Sequence, residues 1–154
     1  MAMTLPLAAT LVLAACALVG AWLDISQRRI PNWLCLVTMV AGLAFAVMTG
    51  GAGALLSPLA HAAIALVVGM ILFRIGWIGG GDAKFYAACA AWFPLGLGPR
   101  LIGMVSLAGL VVILGWFVYR QMSGKRRRAS SGDFAMVPYG VAVAVGSVGL
   151  ALWP

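Results

Sequence analysis

Three carboxylates serve the entire 154-residue chain: Asp24, Asp82 and Asp133, with no glutamate, one histidine and three cysteines beside them. Their scarcity makes the chemistry easy to enumerate. Two carboxylates brought close together cannot both ionise cheaply, so one pKa rises and the pair holds a shared proton near neutral pH. The ionised member can take a proton from a water that attacks a peptide carbonyl. The protonated member can hydrogen-bond the carbonyl oxygen and later help protonate the leaving amine. Such a pair titrates as a unit, so the base role belongs to the pair. Metal chemistry is poorly supplied. There is no CxxC pair among Cys16, Cys35 and Cys89, and with His61 alone a zinc site of the usual His/Cys type is hard to assemble. No metal and no cofactor are expected.

The elements that must position these acids are membrane helices. Hydrophobic residues make up 64% of the chain and charged residues 8%, against about a quarter charged in a soluble domain. Mean hydropathy is +1.10. A membrane helix needs about 20 apolar residues. Six apolar runs approach that length: Leu5 to Leu23, Trp33 to Met48, Pro58 to Trp77, Ala83 to Leu97, Leu101 to Tyr119 and Val137 to Trp153. The second and fourth are short. The runs are continuous rather than alternating, which argues against a β-barrel. The expected fold is all-α, a single polytopic membrane domain over residues 1–154 with about six transmembrane helices. No internal repeat or low-complexity tail is visible.

Charge sets the orientation. Arg28, Arg29, Arg74, Lys84, Arg120, Lys125, Arg126, Arg127 and Arg128 all fall on one side of the six-helix arrangement, and Arg100 alone falls on the other. The positive-inside rule makes the richer side cytoplasmic and puts both termini outside. The basic stretch over residues 120–128 reads as a juxtamembrane loop touching anionic lipid, in preference to a nucleic-acid contact. "VLAAC", Val12 to Cys16, has the look of a lipoprotein cleavage site. No Lys or Arg precedes it, however, and the apolar run continues past it, so a retained first helix is expected. His61, near the outer end of the third helix, reads as an interfacial polar residue.

On this topology Asp24 ends the first helix and Asp82 opens the fourth. Both therefore fall at the cytoplasmic boundary, where helices packed side by side can bring them together. Asp82 also suits a helix N-cap. Asp24 has a poorer structural excuse, because a negative charge at a helix C-terminus opposes the macrodipole. Arg28 could offset that. An acid near the membrane is a functional candidate with a partner to be named, and the natural partner is Asp82. Asp133, in a polar loop after four basic residues, reads as a solvated or turn residue. Gly79, Gly80 and Gly81 before Asp82 permit positive φ and close backbone approach. A side-chain-free loop there could satisfy the backbone of an extended peptide, although glycine-rich turns between helices are common.

Three stretches resemble one family. "DISQRRIPN", Asp24 to Asn32, resembles the first aspartate motif of the bacterial type IV prepilin peptidases. "GGGDAK", Gly79 to Lys84, resembles their GxGD motif, and "VPYGVAVAVG", Val137 to Gly146, resembles a proline-aromatic-glycine helix start near the family's C-terminus. The resemblance implies a membrane aspartic peptidase that cuts the basic leader from prepilins or pseudopilins on the cytoplasmic side of the bacterial inner membrane, usually after a glycine. It implies Asp24 and Asp82 as the catalytic pair, with Gly79 and Gly81 as the glycines around the second. Other pilus-assembly proteins are possible partners; nucleic acid is not expected. Larger members carry an added N-terminal region with paired CxxC motifs, linked to N-methylation. This chain begins with the first helix and has no such pairs. It therefore looks like the short form of tight-adherence (Flp-type) pilus systems, and cleavage without methylation is expected. Pro31 and Asn32 suit a helix start and cap and would aim the Asp24 loop. Pro138 would do the same for the sixth helix. Lys84 could tune the pair, but a nearby cation favours ionised carboxylates and works against a shared proton. A topological role is favoured.

Two other readings are open to test. Presenilin-like peptidases pair a GxGD aspartate with a Tyr-Asp motif, whereas Leu23 precedes Asp24 and no Tyr-Asp occurs. A small transporter or pilus-assembly subunit could relay protons through two acids, but transporters usually place them near the midplane.

Overall fold

The computed structural model describes residues 5–122 and 139–153, apart from the side chain of Arg120. Asp133, the basic residues 125–128, Val137 and Pro138 lie outside the described residues. Among the described residues six α-helices follow one another: α1 (Leu7–Gln27), α2 (Asn32–Gly50), α3 (Leu56–Arg74), α4 (Gly80–Ala90), α5 (Gly98–Met122) and α6 (Tyr139–Leu152). Short 3-10 turns precede α3 and α5. Among the described residues there is no strand, and the chain is an all-α, multi-pass membrane protein.

Among the described residues four helical stretches are long and apolar enough to cross a bilayer: α1, α2, α3 with the turn before it, and α5 with the turn before it. Only 17–28% of each is buried inside the protein. Leu11, Val67, Val111 and similar side chains face outward, as a lipid solvent requires. The fourth apolar run departs from expectation. Its helix, α4, has 11 residues, about 16 Å at 1.5 Å per residue, and is too short to cross alone. The 14-residue α6 is also below the usual length.

The reason α4 stops is local. Pro94 has no N–H to continue a helix, and it disfavours helical backbone in the residue before it. The chain instead tightens, with Trp92 and Phe93 N–H groups donating to the Cys89 and Ala90 carbonyls at 3.1 Å. α3 stitches this turn in place. His61 Nδ1 bonds the Phe93 carbonyl at 3.0 Å, and Ser57 Oγ accepts from Leu95 N–H at 3.0 Å. His61 is thus buried (4% exposed), not interfacial as its position suggested. It satisfies a carbonyl that the broken helix leaves over.

α4 forms the centre of the molecule. It packs against α2, α3 and α6, and Phe85 and residues 87–93 are almost wholly buried. α6 lies between α1 and α5. The α5–α6 contact is close because Gly146 lacks a side chain: a Cβ there would stand 2.6 Å from the Val105 backbone. Gly146→Ala is expected to destabilise the protein by about 1–3 kcal/mol through overpacking. Gly103→Ala, where a Cβ would meet open space, supplies the control. Thermal unfolding in detergent reads both; equal melting temperatures would remove this account of the α5–α6 seam.

The helix directions bring one set of ends together. α1 and α3 end, and α2, α4 and α6 begin, at the end that carries Asp24 and Asp82. Exposed Trp22, Trp33 and Trp77 gather there, while Trp153 marks the opposite end, a distribution that suits the two interfaces of a bilayer. Both described chain ends lie opposite the aspartates.

Candidate active site

Asp24 occupies the last turn of α1. The helix closes on Arg28 in the left-handed conformation (φ 52°, ψ 31°), whose N–H donates to the Asp24 carbonyl at 3.0 Å. Few non-glycine residues adopt that conformation. Here it turns the chain sharply into Ile30 and Pro31. The apparent misfit of an acid at a helix C-terminus is resolved by a different helix. α6 begins directly over the carboxylate: Gly140 N–H donates to Asp24 Oδ2 at 2.8 Å, and Val141 N–H also faces it. The first amides of a helix have no partner within it and carry its positive end. Asp24 therefore opposes its own dipole and complements that of α6. This proximity requires glycine, because a Cβ at Gly140 would sit 2.8 Å from Oδ2 and 2.9 Å from Cγ of Asp24.

Asp82 stands in the first turn of α4, but not as its N-cap. Gly79 holds the cap position in extended backbone (φ −71°, ψ 142°), and Gly80 and Gly81 already belong to the helix. The Asp82 carboxylate reaches back to the Gly79 N–H, as the acidic residue of a capping box does. A Cβ at Gly79 would lie 2.6 Å from Asp82 Oδ2. The reason for glycine is thus close approach; positive φ plays no part at 79–81. Among the described residues, the glycines with positive φ are Gly51 and Gly76. Gly80 faces the Phe73 ring, and a Cβ on Gly81 would make only ordinary contact with Ile30.

Ile30 joins the two halves of the site. It is 8% exposed, lies against Gly81 of α4 and fills the space that a Gly140 side chain would need, 2.9 Å away. Pro31 caps α2 in extended backbone and Asn32 is its first residue, one position later than the cap expected for it. The Asn32 side chain accepts a hydrogen bond from Lys84 Nζ at 3.2 Å. Lys84 therefore ties α4 to the start of α2 as well as marking one end of the bundle.

Asp82 lies in α4, outside the four crossing helices, and its pKa is pushed up to about 6. Burial is the larger cause and the Asp24 charge the second; the Gly79 N–H opposes both. Infrared titration of the protonated carboxyl is expected to find this group near 6. Asp24→Asn removes a like charge and should lower that value, while burial still holds it above the ordinary carboxylate range. No downward movement in the Asn variant would mean that the two carboxylates do not share a site.

A cavity of about 710 Å³ runs from Asp82 toward His61. Its walls are α3 and α5, which stand apart and are bridged at one end by the 95–97 turn. Its floor is α4 and α6. Val68 and Leu72 on one wall face Ile102 and Leu110 on the other. The half-buried Asp82, with the Asp24 charge acting on it, opens onto an apolar trough that suits an apolar chain carrying one reactive polar bond. Gly140, Ile30 and this trough were not singled out as site components from the sequence. The Tyr139-Gly140 step was the available signal for the first. Among the described residues no group of side chains could hold a metal ion.

The model of the type IV leader peptidase family matches residues 11–114, about two thirds of the chain, and that range contains both Asp24 and Asp82. No curated protein and no solved structure matches the chain.

Proposed function

The chain belongs to the type IV leader peptidase family, and from that premise we propose that it is an aspartic endopeptidase removing the basic leader of a prepilin or pseudopilin, with Asp24 and Asp82 as the catalytic pair. The observation that carries this reading is that the Asp24 charge acts on a half-buried Asp82 whose pKa is pushed up to about 6. A water between the carboxylates gives a proton to the ionised member as its oxygen attacks the carbonyl carbon. The protonated member hydrogen-bonds the carbonyl oxygen. Collapse breaks the C–N bond. The pair then gives a proton to the leaving amine, which becomes the new N-terminus of the pilin, and the leader departs with a carboxylate.

Several features support a cytoplasmic position for the site in the bacterial inner membrane. Arg28, Arg29, Arg74 and Lys84 belong to the aspartate end of the bundle, and Arg100 lies beside the far turn. This is the asymmetry expected of a cytoplasmic face. The basic stretch 120–128 would rest on anionic lipid at the same face. Placement of both acids at one end, away from the midplane, disfavours the transporter reading. Acting on a Flp-type prepilin, it would leave an unmethylated product.

The test is direct. The full chain in proteoliposomes is mixed with a Flp-type prepilin, and products are weighed by mass spectrometry. Loss of the leader after a glycine, with an unmodified new N-terminus, is the expected result. A product cut within or beyond the apolar helix would contradict leader cleavage.

A further inference from the structure

Residue types alone leave the base role with the pair, but the two carboxylates stand in unequal surroundings. Arg28 is the first sign. Among the described residues it is the one non-glycine residue with positive φ. Glycine takes that left-handed backbone freely and is the usual residue just past a helix end. An arginine there holds a sparsely populated conformation, and strain of that kind concentrates at working sites. Capping α1 does not need the side chain, because the bond to the Asp24 carbonyl comes from the Arg28 backbone N–H. The reason for arginine must lie beyond the cap.

The Arg28 side chain serves the same aspartate. Arg28 follows Asp24 by one helical turn, and its charge acts on the carboxylate. From the other side Gly140 N–H donates to Oδ2 at 2.8 Å, and Val141 N–H also faces it. A cation and backbone donors favour the ionised form of a carboxylate, and the first turn of α6 adds its dipole. Asp82 is supplied differently. Its backbone donor is the Gly79 N–H, while burial and the Asp24 charge both favour its protonated form. The other charged and titratable side chains at this end do not reverse the contrast. Lys84 of α4 is bonded to Asn32 of α2 and acts on Cys35 there. Arg29 and Arg74 are exposed, and Tyr139 of α6 lines the trough with Asp82. Surroundings that push two acids apart assign their roles.

We propose that Asp24 is the ionised member of the pair and takes the proton of the attacking water, that Asp82 carries the shared proton, and that Arg28 is the positioning residue that holds this order. This rests on the leader-peptidase reading. Asp24 takes one water proton as the water oxygen bonds the carbonyl carbon, and the carbonyl oxygen gains the Asp82 proton. On collapse the C–N bond breaks, the nitrogen takes the proton from Asp24, and a hydroxyl proton returns to Asp82. Both acids end as they began. Marking the cytoplasmic face does not require Arg28, because Arg29, Arg74 and Lys84 stand at the same end.

The order of proton loss is readable in the pH profile of kcat/KM, whose limbs report the essential acid and base of the free enzyme. The active pair has lost one proton and kept one. If Asp24 ionises first, the acid limb follows Asp24 and the alkaline limb follows the Asp82 proton. Arg28→Gly removes the charge and keeps the left-handed cap, so it should melt no earlier than the unmodified chain. Its acid limb should rise by roughly half a pH unit at low salt, the scale of one exposed charge, and by less at high salt. The alkaline limb should stay in place. Arg28→Lys returns a charge at the same backbone position and should restore the acid limb. The full chain is used in proteoliposomes of zwitterionic lipid. The reporter has a basic leader, a glycine before the bond and no Asp, Glu or His, so neither lipid nor a substrate side chain titrates.

Movement of the alkaline limb with the acid limb in place would overturn the assignment, because Asp24 would then be the member that keeps the proton. Two unmoved limbs, or an acid limb that Arg28→Lys does not restore, would overturn the role of Arg28. Infrared titration of the carboxyls reads the same order without a substrate, and three aspartates with no glutamate keep the spectrum simple. The carboxyl that titrates at about 6 should be absent from Asp82→Asn and unmoved in Arg28→Gly. Its survival in Asp82→Asn would also overturn the assignment. If Arg28→Gly does not fold, Arg28→Asn, which tolerates the same backbone, takes its place in both measurements. Loss of the fold in both variants would leave Arg28 a structural cap and overturn its role. The expected infrared order without cutting of any reporter would count against the peptidase reading alone.

Discussion

Asp24→Asn and Asp82→Asn are each expected to lower leader cleavage by about 100-fold or more, the scale of a positioned acid–base group, while leaving the fold intact. Asparagine is the informative substitution at both positions. Its Oδ1 can still accept from the Gly140 N–H at position 24 and from the Gly79 N–H at position 82. Only the charge and the exchangeable carboxyl proton are lost. Stability should move the other way at Asp82. Its folded pKa, about 6, lies above the ordinary value of 3.8. The unfolded chain thus releases this proton first as pH rises. Stability falls from the ordinary carboxylate range upward through about pH 6 and stays reduced above it. Asp82→Asn lacks that decline. At neutral pH it should melt at or above the temperature of the unmodified chain while cutting almost nothing. Cleavage assays and thermal melts on the same preparations read both. An Asp82→Asn chain that is inactive because it melts early would reduce Asp82 to a structural cap.

The sequence was informative about which acids share an end of the bundle, because that depends on residue type and helix order. With three acids in the chain, few pairings existed, and helix alternation placed Asp24 and Asp82 at one end. Lengths were less legible. The run from Ala83 to Leu97 is apolar throughout, so hydropathy could not distinguish a crossing helix from a central one. Its end depends on Pro94 and on His61, a residue 32 positions away in sequence. The glycine run was read as a loop because glycines permit positive φ and close backbone approach. Yet helix α4 begins within it, since the Asp82 carboxylate and the Gly79 N–H close its first turn. The partner of Asp24 was hidden for another reason. Gly140 lies 116 residues away, and what it supplies is a backbone N–H, which no side-chain pattern announces.

That hidden contact makes Gly140 a sensitive position outside the acid pair. Gly140→Ala adds one methyl group. It would fall 2.8–2.9 Å from the Asp24 carboxylate and from Ile30 Cδ1, both closer than carbon contacts normally allow. Ile30 cannot retreat freely, because it is buried against Gly81 at the start of α4. The carboxylate must rotate or α6 must shift, and either movement breaks the 2.8 Å hydrogen bond and changes how Asp24 faces Asp82. Misplacement by about 1 Å can cost on the order of 100-fold in rate, so Gly140→Ala is expected to approach the loss seen in the aspartate variants. Gly103→Ala, the same chemical change with open space around it, should cleave normally. The infrared titration adds a readout that simple unfolding would not reproduce. If the methyl group turns Asp24 away, the pKa of Asp82 should fall toward the value seen in Asp24→Asn, in a protein that still melts cooperatively. If Gly140→Ala cleaves at the normal rate, α6 does not position Asp24, and the glycine serves helix packing alone.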